Sequence, residues 1–187
     1  MAVVDGKGAA DAGVAQTFPV AWPADGWFEG RYAGRKAFRQ LLRQGFAAAA
    51  RTGASELVLS DPDFADWPLG EHAVVASLST WVLADGQRKV IMLANHYDEV
   101  VRRHARFVQW RVQWSHRIEC WRCRESDMHR ALPSLLGMPQ WAMWRDDSDS
   151  YTGLASCDPR TWAAMRGRLD DWLRCSVPSF PVSVLGL

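Results

Sequence analysis

The residues most able to do chemistry lie close together in the stretch RRHARFVQWRVQWSHRIECWRCRE, residues 102–125, which combines arginine, histidine, tryptophan and two cysteines. This stretch and the five residues after it hold eight arginines against three acidic residues, although the whole chain has a net charge of only +1. A local group of guanidinium side chains can bind phosphate or another polyanion. The sequence therefore predicts weak, salt-sensitive binding of polyanions, including nucleic acid, through Arg102, Arg103, Arg106 and Arg111. The alternative is surface ion pairing with the acidic stretches 61–66 and 145–149.

Two cysteines of this stretch, Cys120 and Cys123, form a C-x-x-C pattern. Such a pair can bind zinc or form a redox-active disulfide when both thiols point the same way. Residues 117–123 are predicted to form a strand, and residues three apart on a strand face opposite sides of the sheet. No second C-x-x-C or H-x(3–5)-H pattern completes a four-ligand zinc site. We therefore expect two independent thiols, no metal site and no cofactor.

A second set of polar residues follows two apolar runs that are predicted to be strands. In open α/β sheets, ligands bind at the carboxyl ends of the strands. A remodelled metal-dependent hydrolase site at this edge would use Asp61, Asp63, Asn95 and His96, with Asp147 as a further candidate. The two early aspartates also flank a proline turn, and the asparagine could cap the next helix, so both interpretations are kept.

The remaining pattern supplies the elements that must position these residues. Apolar positions recur with helical spacing in the segments 35–52, 71–85, 97–114 and from Asp158 onward. Short apolar runs predict strands at 27–32, 55–60, 89–94, 117–123, 140–146 and 150–156. Residues 127–139 read as a loop-rich connection because they contain two prolines and a glycine. The alternation predicts an α/β fold with a mixed, mostly parallel β-sheet flanked by helices and a late hairpin.

Length and composition are those of one globular domain. The 187 residues are 48% hydrophobic and include 11 tryptophans, which suggests a large aromatic core or an interface. Residues 1–21 are predicted to be a flexible tail and residues 22–187 a single domain. No apolar run reaches the roughly 18–20 residues that span a bilayer, and the N-terminus lacks a secretory-type hydrophobic segment. We therefore expect a cytoplasmic protein with no membrane contact and reduced thiols.

The order of elements, with RKAFRQLL and AAARTGASELVLSDPDFADWPL followed by VIMLANHYDEVVRRHARFVQWR, resembles a phospholipase D-like module. It is similar to uncharacterised bacterial proteins that carry a degenerate version of that fold, and the resemblance covers residues 27–187. The signature of that superfamily is H-x-K-x(4)-D, in which the histidine attacks phosphorus and the lysine neutralises phosphate oxygens. None of the five histidines here is followed by lysine two residues later. The three positions of the signature align with Gln140, Ala142 and Asp147, so that only the aspartate is kept.

The resemblance thus implies a non-catalytic relative that acts as a binding or scaffolding module for phosphate-containing or other anionic ligands. The alternative is the metal-dependent hydrolase with the remodelled Asp/His site. In the resembled superfamily one module supplies half of a two-fold site, which implies a homodimer. Trp141 and Trp144 lie three apart on a predicted strand, so they should face opposite sides, and one could be left for the partner.

Overall fold

The computed structural model describes residues 26–128 and 130–181, so the predicted tail 1–21 lies outside the described residues. Within this part of the chain the elements follow in the order β1 (Gly30–Tyr32), α1 (Arg35–Thr52), β2 (Glu56–Ser60), α2 (His72–Leu83), β3 (Lys89–Ala94), α3 (Asp98–Arg103), α4 (Ala105–Gln113), β4 (Ile118–Cys123), β5 (Ser134–Met138), β6 (Trp141–Asp147), β7 (Thr152–Ser156), α5 (Pro159–Arg174) and β8 (Ser176–Pro178). None of these helices is long and apolar enough to cross a bilayer.

The strands form one mixed sheet in the order β1-β7-β6-β5-β2-β3-β4-β8. The prediction of an α/β fold with a mixed sheet flanked by helices is confirmed. Among the described strands, β2–β3 and β3–β4 pair in parallel, whereas the other five pairs are antiparallel, so the sheet is mostly antiparallel rather than mostly parallel. The reason is the length of the connections: β5, β6 and β7 follow one another through short turns, and parallel pairing requires a long crossover.

The central strand β5 occupies part of the segment that was predicted to be a loop. All five of its residues are buried, and it joins the antiparallel half of the sheet to β2. The prolines on either side hid it from the pattern, since they end the strand rather than interrupt it. Gly137 in this strand is required by packing: a Cβ atom there would lie 2.1 Å from Cζ3 of Trp162 on α5.

The predicted helix 97–114 is two helices that break at His104, whose φ of −122° and ψ of 46° are not helical. The imidazole is buried and ties this break to the loop after β2. Its Nδ1 accepts a hydrogen bond from the backbone N–H of Gly70 at 3.2 Å, and its Nε2 lies 2.9 Å from the carbonyl oxygen of Phe64. Because Nδ1 is an acceptor, Nε2 carries the proton and donates to Phe64.

The core has two layers, one on each face of the sheet. Helices α1 to α4 cover one face and α5 covers the other. Alternate residues of β3 enter the two layers, as strand geometry requires: Val90 and Met92 face the first layer, whereas Ile91 and Leu93 face the second. The sheet is therefore buried on both sides, which explains the continuous apolar runs in the sequence.

The same alternation decides the orientation of the cysteines and tryptophans. Cys120 lies in the first layer and Cys123 in the second, as predicted, and both are free thiols. Trp141 is fully buried in the first layer, and Trp144 packs against the second layer under α5. Trp141 is thus covered within the chain and Trp144 is half-buried beside α5, so neither is left fully exposed for a partner, and the homodimer stays a prediction.

Candidate functional site

A cleft of about 470 Å³ lies beyond the carboxyl ends of β2 and β3. Its wall combines the residues that follow these strands, the connection that precedes β5, the second half of β6 and one side of α5. The side chains that matter for its chemistry are Asn95, Arg130, Ser134, Arg145, Asp146 and Arg168. The position agrees with the general rule that α/β sheets bind ligands at this edge.

A buried carboxylate holds the base of the cleft together. Oδ2 of Asp61 accepts hydrogen bonds from Ser134 Oγ at 2.5 Å and Trp67 Nε1 at 2.9 Å, and it lies 3.3 Å from Nη2 of Arg145. Its Oδ1 accepts from the backbone N–H groups of Asp63 at 3.1 Å and Phe64 at 2.8 Å. Burial raises the pKa of Asp61, although the hydrogen bond from Ser134 and the charge of Arg145 oppose that shift.

Arg145 is correspondingly occupied by contacts within the protein. Its guanidinium is 3.8 Å from a second carboxylate, that of Asp66, and lies over the rings of Phe38 at 4.9 Å and Tyr151 at 5.2 Å. A guanidinium with two carboxylates and two aromatic faces has its charge compensated. Its role is therefore to fix the base of the cleft.

Three polar groups of the cleft remain available. Within the described residues Arg168 makes no ion pair, and Arg130 makes one long contact, 3.6 Å to Asp127, while it lies 4.3 Å over the ring of Trp172. The Oδ1 atom of Asn95 is buried and accepts no hydrogen bond from the described part of the chain. The cleft thus has one unpaired cation and one partly paired cation, and a buried acceptor without a described donor lies in its wall.

The structure separates the polar set that was predicted to form a hydrolase site. Asp61 and Asn95 lie at the base and wall of the cleft. Asp63, however, accepts from the backbone N–H of Ala65 at 2.8 Å, and His96 is exposed, 3.7 Å from Asp98. Among the described residues no three His, Cys, Asp or Glu side chains gather to hold a metal ion. The described residues therefore do not show the grouping that the hydrolase interpretation expects, and the hydrogen-bonding capacity of Asp61 is used internally.

The aligned signature positions do not share a site either. Gln140 is exposed in the turn between β5 and β6, and Ala142 is buried within β6. Asp147 is exposed at the end of β6, where it accepts a hydrogen bond from Ser150 Oγ at 2.5 Å, and this bond lowers its pKa. These residues therefore belong to strand β6 and the turns at its two ends, and they form no reactive group.

The predicted arginine set is split between surface and core. Arg102 and Arg103 both pair with Glu99, at 2.6 Å for Arg102, and the Nη1 of Arg106 donates to the carbonyl of Gly70 at 3.2 Å. All three are exposed, whereas Arg111 is only 4% exposed, and including it in an anion-binding surface was wrong. Its Nε donates to Cys120 Sγ at 3.2 Å and its Nη2 donates to the carbonyl of Phe180.

The surface arginines belong to a larger patch that includes the start of α1. We define the basic face as seven residues: Arg35, Lys36, Arg39, Arg43, Arg102, Arg103 and Arg106. A shallow groove of about 300 Å³ runs between α1 and the junction of α3 with α4, and Arg35, Arg39 and Arg103 line it. The cations of α1 and those of the α3–α4 junction therefore flank one groove.

Three carboxylates accompany the seven cations of the basic face. Asp66 pairs with Arg35 at 2.6 Å, Glu71 pairs with Arg39 at 2.8 Å and with Arg43 at 2.6 Å, and Glu99 pairs with two arginines of α3. The hydrogen bond from Arg43 is the largest cause that lowers the pKa of Glu71, to about 2. Seven cations against three carboxylates leave four positive charges on this face.

The helix start adds to the positive potential. The first turn of α1 contains no acidic residue and has no side-chain cap, although Arg35 and Lys36 lie there. The N-terminal end of a helix carries a partial positive charge, which favours anions and disfavours cations nearby. A phosphate at this end would therefore relieve an unfavourable arrangement as well as meet the arginines.

Comparisons with known proteins concern the fold. No family model matches the chain, and no curated protein matches it. A solved structure of TrmBL2, an archaeal chromatin protein that shows a novel mode of DNA binding, superimposes with a TM-score of 0.56 at 12% identity. The match covers 80% of this chain and 53% of TrmBL2, so this chain spans about half the length of that protein. NucT from Helicobacter pylori gives a TM-score of 0.49 at 8% identity, covering 80% of this chain and 97% of NucT.

The spacing of residues in the sequence indicates part of the basic face. Arg35, Lys36, Arg39 and Arg43 occupy positions i, i+1, i+4 and i+8 of a predicted helix, which places them on one side of it. No local signal marks Arg145, since its partner Asp61 is distant in sequence and the two meet only through the sheet.

Proposed function

We propose that this chain is a non-catalytic binding module on a phospholipase D-like fold, and that it binds nucleic acid through the basic face. The observation that carries the proposal is the excess of positive charge around the groove between α1 and the α3–α4 junction. Arginine and lysine side chains bind the phosphate backbone without reading sequence, so we expect sequence-independent binding. The fold likeness to TrmBL2 makes duplex DNA the first polymer to test.

The chemistry of the chain supports binding over turnover. No histidine of the sequence has a lysine two residues later, so the phosphate-attacking signature of the resembled superfamily is missing. The positions that align with it carry glutamine, alanine and aspartate. Glutamine forms no phospho-enzyme of the histidine type, and alanine neutralises no phosphate oxygen. Hydrolysis of a generic phosphodiester such as bis(p-nitrophenyl) phosphate, lost on His116→Ala or another histidine substitution, would contradict this part of the proposal.

Salt dependence provides a quantitative test of the DNA interaction. A protein that neutralises Z phosphates of duplex DNA loses affinity with a log–log salt slope of about −0.9Z. With about four uncompensated charges we expect a slope of about −3.6. Fluorescence anisotropy of a labelled duplex, measured between 50 and 200 mM salt, gives the slope directly.

The variants for this test are chosen to leave the ion pairs intact. Lys36 and Arg106 pair with no carboxylate in the described part of the chain, so Lys36→Glu/Arg106→Glu reverses charge without exposing a buried partner. We expect it to weaken DNA binding at least tenfold at low salt. Arg124→Glu/Arg160→Glu is the matched control, because both arginines are exposed, lie outside the basic face and carry the same total charge change. Equal losses in the two variants, or no loss in the first, would reject the basic face as the binding surface.

A further inference from the structure

The cleft beyond β2 and β3 has the size and the polar groups of a separate small-molecule site. We infer that it binds a small organic phosphate, with the phosphate on Arg130 and Arg168 and a hydrogen-bond donor of the organic part on Asn95. This site is distinct from the basic face, and its occupancy does not depend on whether the chain binds DNA.

The volume of the cleft sets the size of the ligand. At about 470 Å³ it falls within the range of roughly 300–1,000 Å³ that is typical of small-molecule sites. A molecule the size of a mononucleotide or a pentose phosphate fits such a space, whereas an inorganic anion would fill only a small part of it.

The charge of the wall favours an anionic group. Three arginines line the cleft against one aspartate, Asp146, whose Oδ1 accepts from Trp144 Nε1 at 3.0 Å. Arg145 is compensated by Asp61, and Arg130 is partly compensated by Asp127 at 3.6 Å, so Arg168 carries the unpaired charge and Arg130 adds to it. A phosphate monoester carries about −1.5 to −2 charges at neutral pH and offers three acceptor oxygens, which suits two guanidinium groups.

Asn95 supplies the second, independent observation. Its backbone N–H donates to the carbonyl of Pro62 at 3.0 Å, which fixes the residue at the wall of the cleft. Its Oδ1 is buried yet accepts no hydrogen bond from the described residues. A buried acceptor without a donor is unfavourable, and a rotation of the Asn95 side chain toward the cleft would let a hydroxyl or amino group of a ligand satisfy it.

Apolar side chains in the wall suit the organic part of the ligand. Met128 and Met165 face the cleft from the connection before β5 and from α5, and Pro62 and Trp144 complete this surface. Methionine side chains adapt to the shape of a ligand, and the indole offers a flat surface. The ligand therefore meets the arginines, the Asn95 acceptor in the wall and apolar contacts between them.

Isothermal titration calorimetry with adenosine 5′-monophosphate, ribose 5-phosphate and inorganic phosphate tests the site. We expect saturable binding of at least one ester, at least tenfold tighter than that of inorganic phosphate. Arg168→Ala should weaken ester binding at least tenfold, whereas Arg160→Ala, on the same helix but outside the cleft, should leave it unchanged. Asn95→Ala should weaken ester binding and leave the weak binding of inorganic phosphate as it was.

The outcomes separate this site from the proposed DNA surface. The Lys36→Glu/Arg106→Glu variant should bind the ester like the parent chain, and thermal melting of each variant checks that it is folded. Absence of binding by both esters at millimolar concentration overturns the inference. An ester that binds no more tightly than inorganic phosphate, or that Arg160→Ala weakens as much as Arg168→Ala, overturns it as well.

Discussion

Asp61 and Arg145 form a buried ion pair at the base of the cleft, with 3.3 Å between Oδ2 and Nη2, although 84 positions separate them in the sequence. Only 2% of the Asp61 side chain and 8% of the Arg145 side chain are exposed. The pair joins the loop after β2 to strand β6, and thereby connects the parallel and antiparallel halves of the sheet. A charge buried this deeply is stable only while its partner is present.

Arg145→Met should therefore destabilise the protein strongly at neutral and alkaline pH. Loss of one partner of a buried pair destabilises by about 3–5 kcal/mol, because the other charge stays buried without compensation. Burial already raises the pKa of Asp61, and removal of the arginine raises it further. The destabilisation should thus be largest above that raised pKa and should shrink as the pH falls through it, when the carboxyl group takes up a proton. Urea unfolding of both proteins at pH 5 and pH 8 measures the difference.

The double variant Asp61→Asn/Arg145→Met tests the cause. Compared with Asp61→Asn alone, the double variant has no Asp61 carboxyl group to protonate, so the pH-dependent part of the destabilisation caused by Arg145→Met should disappear. If the difference keeps the same pH dependence in the double variant, its origin lies elsewhere in the protein.

His104 should make the protein less stable as the pH falls below neutrality. Burial lowers the pKa of His104 from its usual value of 6.5, because the buried ring disfavours the charged form, although the hydrogen bond to the carbonyl of Phe64 opposes that shift. The unfolded chain then binds the proton more tightly than the folded chain. The stabilisation is complete above 6.5 and is lost as the pH falls toward the lowered folded-state pKa.

Unfolding free energies between pH 7.5 and pH 5.5 measure this effect. We expect His104→Gln to be less stable at pH 7.5 and to show a flatter profile. His116→Gln is the control, since its imidazole is exposed and makes no buried hydrogen bond in the described structure. If the unfolding free energy of His104→Gln falls with pH as steeply as that of the parent chain, the pH dependence comes from other groups.

Gly137→Ala should destabilise the protein by about 1–3 kcal/mol through overpacking. The added methyl group would lie 2.1 Å from Cζ3 of Trp162, so α5 must shift or the indole must leave its rotamer. Gly167→Ala is a matched control on α5, because a Cβ there meets nothing within 4 Å. It should stabilise the helix by up to about 1 kcal/mol. Thermal or chemical unfolding measures the change in unfolding free energy for each variant. The change should be a loss for Gly137→Ala and a gain for Gly167→Ala.

Glu71→Gln should strengthen DNA binding by the basic face. Glu71 pairs with Arg39 and Arg43, and its low pKa of about 2 reflects those contacts. Removal of its charge releases two guanidinium groups for phosphate, so we expect about threefold tighter binding and a salt slope steeper by about one. Anisotropy titrations against the parent chain measure both quantities. Weaker binding would mean that Glu71 orients the arginines for phosphate instead of competing with it.

Local patterns predicted most of the elements of this fold. Continuous apolar runs and helical spacing located β2, β3 and α1, because burial on one or both sides leaves a direct trace in the sequence. Strand alternation placed Cys120 and Cys123 on opposite faces, which the structure confirms. Strand β5 was missed because its flanking prolines resemble a loop, and with it the antiparallel half of the sheet was underestimated.

The candidate sites were less accessible to prediction, since they depend on distant partners. Asp61 was recognised as a polar residue at the right edge of the sheet, but its pairing with Arg145 requires the position of β6. Arg111 was assigned to the surface from charge alone, although its helical position points into the core next to Cys120. Charge density indicates that cations cluster, and only packing shows which of them reach solvent.

The late position of β5 in the chain affects how the protein is made. Strand β2 pairs with β3 on one side and with β5 on the other, and β5 begins at Ser134. During synthesis the ribosome therefore releases β2, β3 and β4 while one edge of β2 still has free backbone groups. An uncovered, apolar strand edge invites pairing with another nascent chain or capture by a chaperone. The hairpin of β5 and β6 ends that exposure, and translation pauses before β5 has left the ribosome should promote aggregation.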